Sequence, residues 1–339
     1  LKNDVGFDGW RYDYGKGFNH SHINDYNSAA EAYMSVVEYW DGNPDVIRQR
    51  LQDASWNNMA FDFGTKYDAL NNGICSFNYA KCKGAGMLGA GYSKHAVTFV
   101  DNHDTFQRNS SEFGGQGNSM LSNMKDRLLQ ANAYILAMPG IPCVFYPHWV
   151  TYKAEIKKMI EARHLVGVHS QSGVEYESAE QGGYQATIVG TKGYLILQLG
   201  NKVGGSFDGF TKYASGNGYA MWISSSAIPA DPNAPKFYVT GNDKLLGESK
   251  AWNPQAIAVK ESSYTFENLA AGNDYKLKIT TDGTWNTAKG YNELTAKAEG
   301  LSADDDDNIC FSLSEAGNVK VTYTGSVFTL EGKFATSGS

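Results

Sequence analysis

GFDGWRYDYGKGF, residues 6–18, is a short aromatic stretch that predicts a β-strand ending in a carboxylate. Its aromatic side chains favour extended structure, and two glycines end it. On a strand, Arg11 and Asp13 point to the same face, and the arginine keeps the carboxylate ionised. This pattern alone is also typical of a surface ion pair. Barrel enzymes, however, carry reactive carboxylates at the carboxyl ends of their strands.

The composition allows two or three domains with sizeable cores, because the chain has 339 residues, 42% of them hydrophobic. The net charge of −7 and the absence of a Lys/Arg block argue against nucleic acid and anionic membranes as partners. No run of 18 apolar residues occurs, so the sequence predicts no membrane span.

Apolar strands alternate with helices from residue 5 to residue 167. After the opening strand, further strands are predicted at 34–40, 59–63, 96–100 and 141–146. The main helices are predicted at 29–33, 45–54, 121–137 and 154–166, with a weaker one after residue 63. This alternation is typical of parallel β/α units. Five such units cannot close an eight-stranded barrel, so the pattern indicates either an open sheet or a barrel without its first three units.

Three further segments follow the predicted β/α domain, 1–167. Residues 168–227 predict a small antiparallel domain, and 228–235 hold three prolines and predict a semi-rigid linker. Residues 236–339 have short strands at the regular spacing of a β-sandwich. The acidic run 304–307 predicts a solvated loop, with a calcium loop as the alternative.

The four cysteines do not have the spacing of a zinc site. Cys75 and Cys82 share a glycine-rich loop and would be able to pair in an exported protein. Cys143 lies in an apolar run, which predicts a buried free thiol. Cys310 lies in a predicted strand.

Three acids, Asp13, Glu38 and Asp104, each follow an apolar run. Burial of Glu38 among apolar neighbours favours the protonated form of its carboxyl, which suits a general acid, whereas an ionised Asp13 suits a nucleophile. Retaining glycoside hydrolysis needs such a pair. His103, beside Asp104, suits hydrogen bonding to sugar hydroxyls. Each acid alone is more typical of a cap or an ion pair, but their shared position at strand ends favours a catalytic site.

Several motifs from residue 6 to residue 149 resemble the α-amylase family, glycoside hydrolase family 13. GFDGWRYDYGKGF, SVVEYWDG and FVDNHDTF resemble its second, third and fourth conserved regions. MAFDF and PGIPCVFYPHW resemble its sixth and eighth barrel strands, especially in the plant and archaeal branch. The resemblance therefore implies a multidomain protein that begins with strands 4–8 of a (β/α)8 barrel.

The resemblance also implies roles for the residues of these motifs. Asp13 is implied as nucleophile, Glu38 as general acid/base, and Asp104 as the carboxylate that steadies the distorted sugar. The residues implied as supporting or substrate-binding are Arg11, which would orient Asp13, His103 at the cleavage subsite, and Lys16 and Trp40 on the aglycone side.

Some features of the family are missing from the sequence. The first conserved region and the domain inserted after the third barrel strand, which carries most of the ligands of a structural calcium, are absent. Gly17 stands where many members have histidine, and its carbonyl is implied as a calcium ligand. Pro147 replaces a common acid. The missing barrel half is expected as a separate or missing N-terminal segment.

The C-terminal segments resemble two kinds of β domain. Residues 168–227 resemble the family's C-terminal domain, and 236–332 resemble starch-binding sandwich modules of gut Bacteroidetes. We predict Trp252, Trp285 and Tyr291 as a sugar platform, since flat rings stack on glucose; for Trp252 a core position is the alternative.

These inferences predict a secreted or cell-surface enzyme that hydrolyses α-1,4-glucosidic bonds of starch or glycogen internally and with retention. Its partners would be starch or malto-oligosaccharides, and calcium its structural cofactor. Two alternatives remain open. One is a glucan transferase with the same acids, and the other is a non-catalytic starch-binding protein from a truncated gene.

Overall fold

The computed structural model describes residues 1–106, 125–229 and 231–336, without the side chains of residues 125 and 126. Its contacts divide the chain into two compact units, Leu1–Pro229 and Ala230–Ser339. The finer domain boundaries at 167 and 235 stay predictions. Within the described ranges, no helix is both long and apolar enough to cross a membrane.

A parallel sheet is the first part of the first unit. Its strands, within the described residues, are β1 (Gly9–Tyr12), β2 (Met34–Val37), β3 (Met59–Phe61), β4 (Ala96–Phe99) and β5 (Ile141–Cys143). They pair in the order of the chain, each neighbour parallel to the next. The predicted parallel β/α units are therefore confirmed. Because all five strands run the same way, the residues that follow them meet at one edge of the sheet.

Helices precede, connect and follow these strands. They are α1 (Lys2–Val5), α2 (Ser21–Ala30), α3 (Pro44–Asp53), α4 (Phe63–Thr65), α5 (Gly86–Gly89), α6 (Lys125–Ala137), α7 (Tyr146–Thr151) and α8 (Lys153–Val166). A π-helical segment spans Lys66–Cys75, and 3-10 turns span Gly15–Gly17, Tyr79–Cys82 and Ser93–His95. Asn43 caps α3 by accepting from the Asp45 N–H at 2.9 Å. Gly167, with a φ of 75°, ends α8.

The structure differs from one predicted helix and describes only part of another. The helix predicted at 29–33 is wrong in its position, because α2 begins at Ser21 and ends at Ala30. Ile23 and Asn27, four residues apart, are its buried residues, which is the spacing of one helix face. The helix predicted at 121–137 is described only from Lys125, and its first four residues lie outside the described ranges.

An antiparallel sheet completes the first unit. Its strands are β6 (Val174–Glu180), β7 (Gly183–Gly190), β8 (Gly193–Gly200), β9 (Phe210–Gly216) and β10 (Tyr219–Ser224), paired in the order β6-β7-β8-β10-β9. A 3-10 turn, Ser225–Ala227, follows. Buried residues of α6 and α8, such as Ile135 and Met159, share one core with Leu197 and Met221 of this sheet. Burial of such apolar surface is the main stabilising contribution to a core.

The second unit is built from two antiparallel sheets. Its elements are β11 (Phe237–Gly241), α9 (Asp243–Leu246), β12 (Ile257–Val259), β13 (Ser263–Leu269), β14 (Tyr275–Thr280), a 3-10 turn (Trp285–Thr287), β15 (Ala288–Lys289), β16 (Ser302–Ala303), β17 (Ile309–Phe311), β18 (Gly317–Tyr323) and β19 (Phe328–Glu331). One sheet has the order β12-β11-β14-β17-β16 with β15 beside β14, and the other has the order β13-β18-β19. Side chains of both sheets, including Phe237 and Val319, form one core.

All four cysteines are free, and the prediction for one of them is wrong. Cys75 and Cys82 are both buried and unpaired. Cys143, predicted as buried, is exposed. The reason is its position at the end of β5, which lies at the margin of the described parallel sheet and has a neighbouring strand on one side only.

Candidate active site

Arg11 joins two carboxylates at the ends of β1 and β2. One guanidinium nitrogen lies 2.6 Å from Oδ1 of Asp13, and the other lies 2.8 Å from Oε1 of Glu38. Asp13 directly follows β1 and is exposed, whereas Glu38 directly follows β2 and keeps only 7% of its surface exposed. The pairing of Trp10 with Ser35 and of Tyr12 with Val37 sets this arrangement. The site therefore contains one open and one enclosed carboxylate, held by the same cation.

The electrostatics of Asp13 follow from this contact. The hydrogen bond from Arg11 and then its positive charge hold the pKa of the Asp13 carboxyl below its usual range. The charge of His103 contributes a smaller effect in the same direction. Asp13 is thus kept as a carboxylate, the form that a nucleophile requires.

The backbone after Asp13 is held in an unusual conformation. Tyr14 has a φ of 46°, in the left-handed region that non-glycine residues seldom adopt. Its N–H donates to Oε2 of Glu38 at 3.3 Å, and the N–H of Gly15 donates to the Glu38 carbonyl at 2.8 Å. Such strain is typical of functional sites. An aromatic residue in a left-handed turn left no signal in the sequence.

His103 and Asp104 lie in the loop that follows β4. Nε2 of His103 lies 3.1 Å from Oδ2 of Asp104, and both side chains are exposed. Asn102 fixes the loop by accepting hydrogen bonds from the N–H groups of Asp104 and Thr105, at 2.9 and 2.8 Å. The structure therefore places this pair at the same edge of the sheet as Asp13 and Glu38.

The other two residues predicted to contact sugar at this site, Lys16 and Trp40, come shortly after Asp13 and Glu38 in the chain. Nζ of Lys16 lies 3.8 Å from Oδ2 of Asp41. Trp40 is partly exposed, stacks on Phe63 with ring centroids 4.8 Å apart, and donates its indole N–H to the Tyr67 hydroxyl. Both side chains are exposed to solvent, and their contact with sugar stays a prediction.

Gly17 ends the 3-10 turn after Asp13, and its N–H donates to the Tyr14 carbonyl at 2.9 Å. The described residues bring no group of three or more His, Cys, Asp or Glu side chains together as metal ligands. Calcium favours six to eight oxygen ligands, so a calcium site at Gly17 would need further oxygen ligands beside its carbonyl.

Sequence reasoning missed a buried charged cluster beneath the site. Nζ of Lys66 lies 3.2 Å from Oδ1 of Asp101, and Nε2 of His148 lies 3.2 Å from Oδ2 of the same carboxylate. All three residues are at most 2% exposed. Lys66 lies in a segment of mixed polarity after β3, which gave no signal of a buried lysine.

Two of the predicted platform residues of the second unit line one surface cavity of about 580 Å³. Trp252 and Trp285 keep 36% and 47% of their surface exposed. The polar residues of the lining are Asn242, Lys276, Lys278, Asp304, Asp306 and Asn308. The acidic run 304–307 thus contributes to a cavity wall rather than only to a solvated loop.

Tyr291, the third predicted platform residue, is not among the residues that line this cavity. It packs against the core of its unit, and Nζ of Lys297 lies 4.4 Å from its ring centroid. Its role in sugar binding stays a prediction.

Comparison with known proteins finds α-amylases of plants and bacteria. The chain is 34% identical over 245 residues to a probable α-amylase 2 of Arabidopsis thaliana, covering 66% of this chain and 56% of that protein. It is 28% identical over 296 residues to a glucan 1,4-α-maltotetraohydrolase of Stutzerimonas stutzeri, covering 76% of this chain and 52% of that one. The chain thus spans about half the length of these relatives. No family model matches.

A solved α-amylase of Anoxybacillus superposes with a TM-score of 0.46 at 16% identity, over 65% of this chain and 57% of that one. A barley relative is more informative. The chain is 36% identical over 148 residues to the α-amylase type B isozyme of Hordeum vulgare, covering 41% of this chain and 86% of that sequence. With the motifs at the strand ends, this match shows that the chain belongs to the α-amylase family.

Proposed function

We propose that the first unit hydrolyses α-1,4-glucosidic bonds inside starch or glycogen with retention of configuration. The observation that carries the proposal is Arg11, which contacts an exposed, ionised Asp13 and a buried Glu38 at the same time. Retaining glycosidases need two carboxyl groups with different roles, and these two have different environments. We assign β1–β5 as strands 4–8 of a (β/α)8 barrel, whose active face is the carboxyl edge.

The chemistry would proceed in two steps. Asp13 attacks the anomeric carbon while Glu38 donates a proton to the departing glycosidic oxygen, which gives a β-glycosyl ester on Asp13. Glu38, now a carboxylate, takes a proton from water, and the water attacks the ester and releases an α product. Asp104 would stabilise the positive charge that develops on the sugar ring, with His103 hydrogen-bonded to its hydroxyls.

We also propose that the second unit is a β-sandwich that binds starch at the cavity between Trp252 and Trp285. Exposed indole rings suit stacking on the apolar faces of glucose. Trp252 has a φ of 53°, a left-handed conformation that is a marked outlier for a bulky residue. Its N–H donates to the Gly241 carbonyl at 2.8 Å, which anchors this conformation. An observed outlier of this kind supports a functional role.

Polar groups in the same cavity would recognise sugar hydroxyls. Nζ of Lys276 lies 2.8 Å from Oδ2 of Asp304, and the side-chain amide of Asn308 donates to the same oxygen at 2.9 Å. Burial of the carboxyl opposes its charge, but these hydrogen bonds keep the pKa of Asp304 well below its usual range. The carboxylate is therefore a fixed acceptor, and a site with a few placed polar groups beside aromatic rings is typical of ligand cavities.

Calcium as a structural cofactor, with the Gly17 carbonyl as one ligand, and a secreted or cell-surface location remain predictions. The same acids would serve a glucan transferase, which forms oligosaccharides longer than its substrate. A non-catalytic starch-binding protein would form no new products.

One experiment separates these functions. Soluble starch is incubated with the wild-type chain and with the Asp13→Asn and Glu38→Gln variants, and new reducing ends and product lengths are measured. We expect hydrolysis by the wild type and a loss of roughly 10²- to 10⁴-fold in turnover for Glu38→Gln, the usual contribution of a placed acid or base. The loss in Asp13→Asn should be at least as large, because that variant lacks the nucleophile. Tyr33→Ala, an exposed aromatic residue before β2 at the opposite edge of the sheet, is the control.

The outcome that would overturn the proposal is a wild-type chain that retains starch but releases no reducing ends. Products longer than the substrate would select the transferase instead. Equal loss of starch retention and turnover in Glu38→Gln would contradict the division of labour between the two units.

A further inference from the structure

The buried cluster of Lys66, Asp101 and His148 has no role in the reaction as proposed, yet its burial is costly. Each charged group loses its hydration when it is at most 2% exposed. Burial lowers the pKa of Lys66, and the carboxylate of Asp101 opposes that shift. Replacing such a cluster by apolar residues of similar volume is often neutral or stabilising in proteins. Stability of the core is therefore a poor explanation for it.

The contacts of the cluster lead to one loop. Nζ of Lys66 donates to the Val100 carbonyl at 2.5 Å and to Oδ1 of Asp101 at 3.2 Å. The same Oδ1 accepts the hydroxyl of Thr105 at 3.1 Å. That hydroxyl in turn accepts the N–H of Asn102 at 2.9 Å. A continuous set of bonds thus runs from the buried lysine to both ends of the 101–105 loop.

His103 and Asp104 lie at the exposed middle of this loop. The Asn102 side chain accepts hydrogen bonds from the Asp104 and Thr105 N–H groups. The positions of the His103 and Asp104 side chains therefore depend on the hydrogen bonds of neighbouring residues. His148, from α7 after β5, contacts the second oxygen of Asp101. Residues that follow β3, β4 and β5 therefore meet at one carboxylate, directly below the loop.

We infer that Lys66, Asp101 and Thr105 are positioning residues that set the place of Asp104 relative to the reacting sugar. None of the three needs to touch substrate. Asp101 forms an ion pair with the buried Lys66. The hydroxyl of Thr105 links the Asp101 carboxylate to the loop, so the position of the carboxylate determines the position of the loop. The inference rests on the proposed function in assigning Asp104 a place in the reaction, but the mechanical coupling can be measured without activity.

Thr105→Val tests this coupling. Removal of Lys66 or Asp101 would leave an uncompensated buried charge and endanger folding, whereas valine has nearly the shape of threonine. Thr98→Val is the matched control, because Thr98 is fully buried on β4, the strand before the loop, and its hydroxyl has no partner in the described part of the chain. Thr105→Ser, which keeps the hydroxyl, is the rescue variant.

Two measurements are made on the full chain. The first is hydrogen exchange of the Asp104 and Thr105 amides, which we expect to be roughly fivefold faster or more in Thr105→Val, with Thr98→Val and Thr105→Ser close to wild type. The second is starch hydrolysis, for which we expect kcat to fall roughly 10- to 100-fold with KM little changed, since displaced catalytic groups lose rate rather than ground-state binding.

The outcomes separate the inference from the proposed function. Unchanged amide exchange in Thr105→Val overturns the inference, whether or not the chain is active. Faster exchange in a chain that hydrolyses no starch supports the mechanical coupling and rejects the proposed function. Faster exchange with an unchanged kcat rejects the positioning role for the reaction.

Discussion

Arg11 keeps the exposed carboxylate of Asp13 ionised. It is the largest influence on the pKa of Asp13, first through a hydrogen bond and then through its charge. A carboxyl with a lowered pKa stays ionised to a lower pH than an ordinary one. The acid limit of activity should therefore depend on this guanidinium.

Arg11→Met tests that dependence. Without the guanidinium, the pKa of Asp13 should rise towards the ordinary value of about 3.9, so that the carboxylate is protonated at a higher pH. We expect the acid limb of the kcat/KM profile, which reports groups of the free enzyme, to move to higher pH. Arg48→Met, on the exposed face of α3 and paired with Asp45, is the control. An unmoved acid limb in Arg11→Met would contradict the assigned role.

At the scale of elements, Arg163 of α8 holds the segment that leads from α6 into β5. Its guanidinium donates to the carbonyls of Leu136, Met138 and Gly140 at 2.9, 2.7 and 2.8 Å. Burial lowers the pKa of Arg163 to about 10, which leaves it charged at neutral pH. The bond to Leu136 satisfies a carbonyl in the last turn of α6, which a helix leaves without a partner of its own, and the other two hold the residues between α6 and β5.

Arg163→Met removes all three bonds at once. We expect the first unit to lose about 3 kcal/mol or more of unfolding free energy, because each buried bond to a charged group contributes about 1.5–3 kcal/mol. Urea unfolding of the full chain, analysed for the transition of the first unit, measures this. Lys157→Met on the exposed face of α8 should stay within about 0.5 kcal/mol of wild type. Similar midpoints for the two variants would refute the role of Arg163.

Local pattern explains which elements could be predicted. Strands that consist of buried apolar runs, such as β2 and β4, have ends that were predicted within a few residues. β6 has little strand signal in the sequence because its residues, including Glu175 and Glu177, are mostly exposed at the edge of a sheet. The position of Asp13 and Glu38 was predictable because parallel strands bring their carboxyl ends together. The contacts of Asp101 were not, since Lys66 and His148 are distant in sequence and only the fold brings them together.

At the scale of the whole molecule, the second unit has what it needs to fold alone. Its core consists of its own residues, such as Leu277 and Ile309, drawn from β14 and β17. Trp252 and Trp285 line a cavity formed entirely by residues of that unit. Starch binding should therefore be separable from hydrolysis.

The fragment that spans residues 231–339 tests this separation. We expect it to unfold cooperatively and to be retained by insoluble starch as strongly as the full chain. Trp285→Ala in the fragment should remove most of the retention, since stacking on an indole supplies apolar contact that alanine lacks. Val327→Ala, another exposed apolar position of the unit, is the control. A folded fragment that does not bind starch would place the binding elsewhere.

In the proposed reaction, Asp13 attacks the sugar while Glu38 transfers the proton. With α-maltosyl fluoride as substrate, fluoride departs without help from a general acid, so the first step does not need Glu38. Breakdown of the glycosyl ester does need Glu38 as a base. The Glu38→Gln variant should therefore accumulate the intermediate. Peptide mapping by mass spectrometry after this reaction is the most direct test. We predict a maltosyl adduct on the peptide that contains Asp13 and none in the Asp13→Asn/Glu38→Gln double variant. No adduct, or an adduct on another residue, would contradict the account.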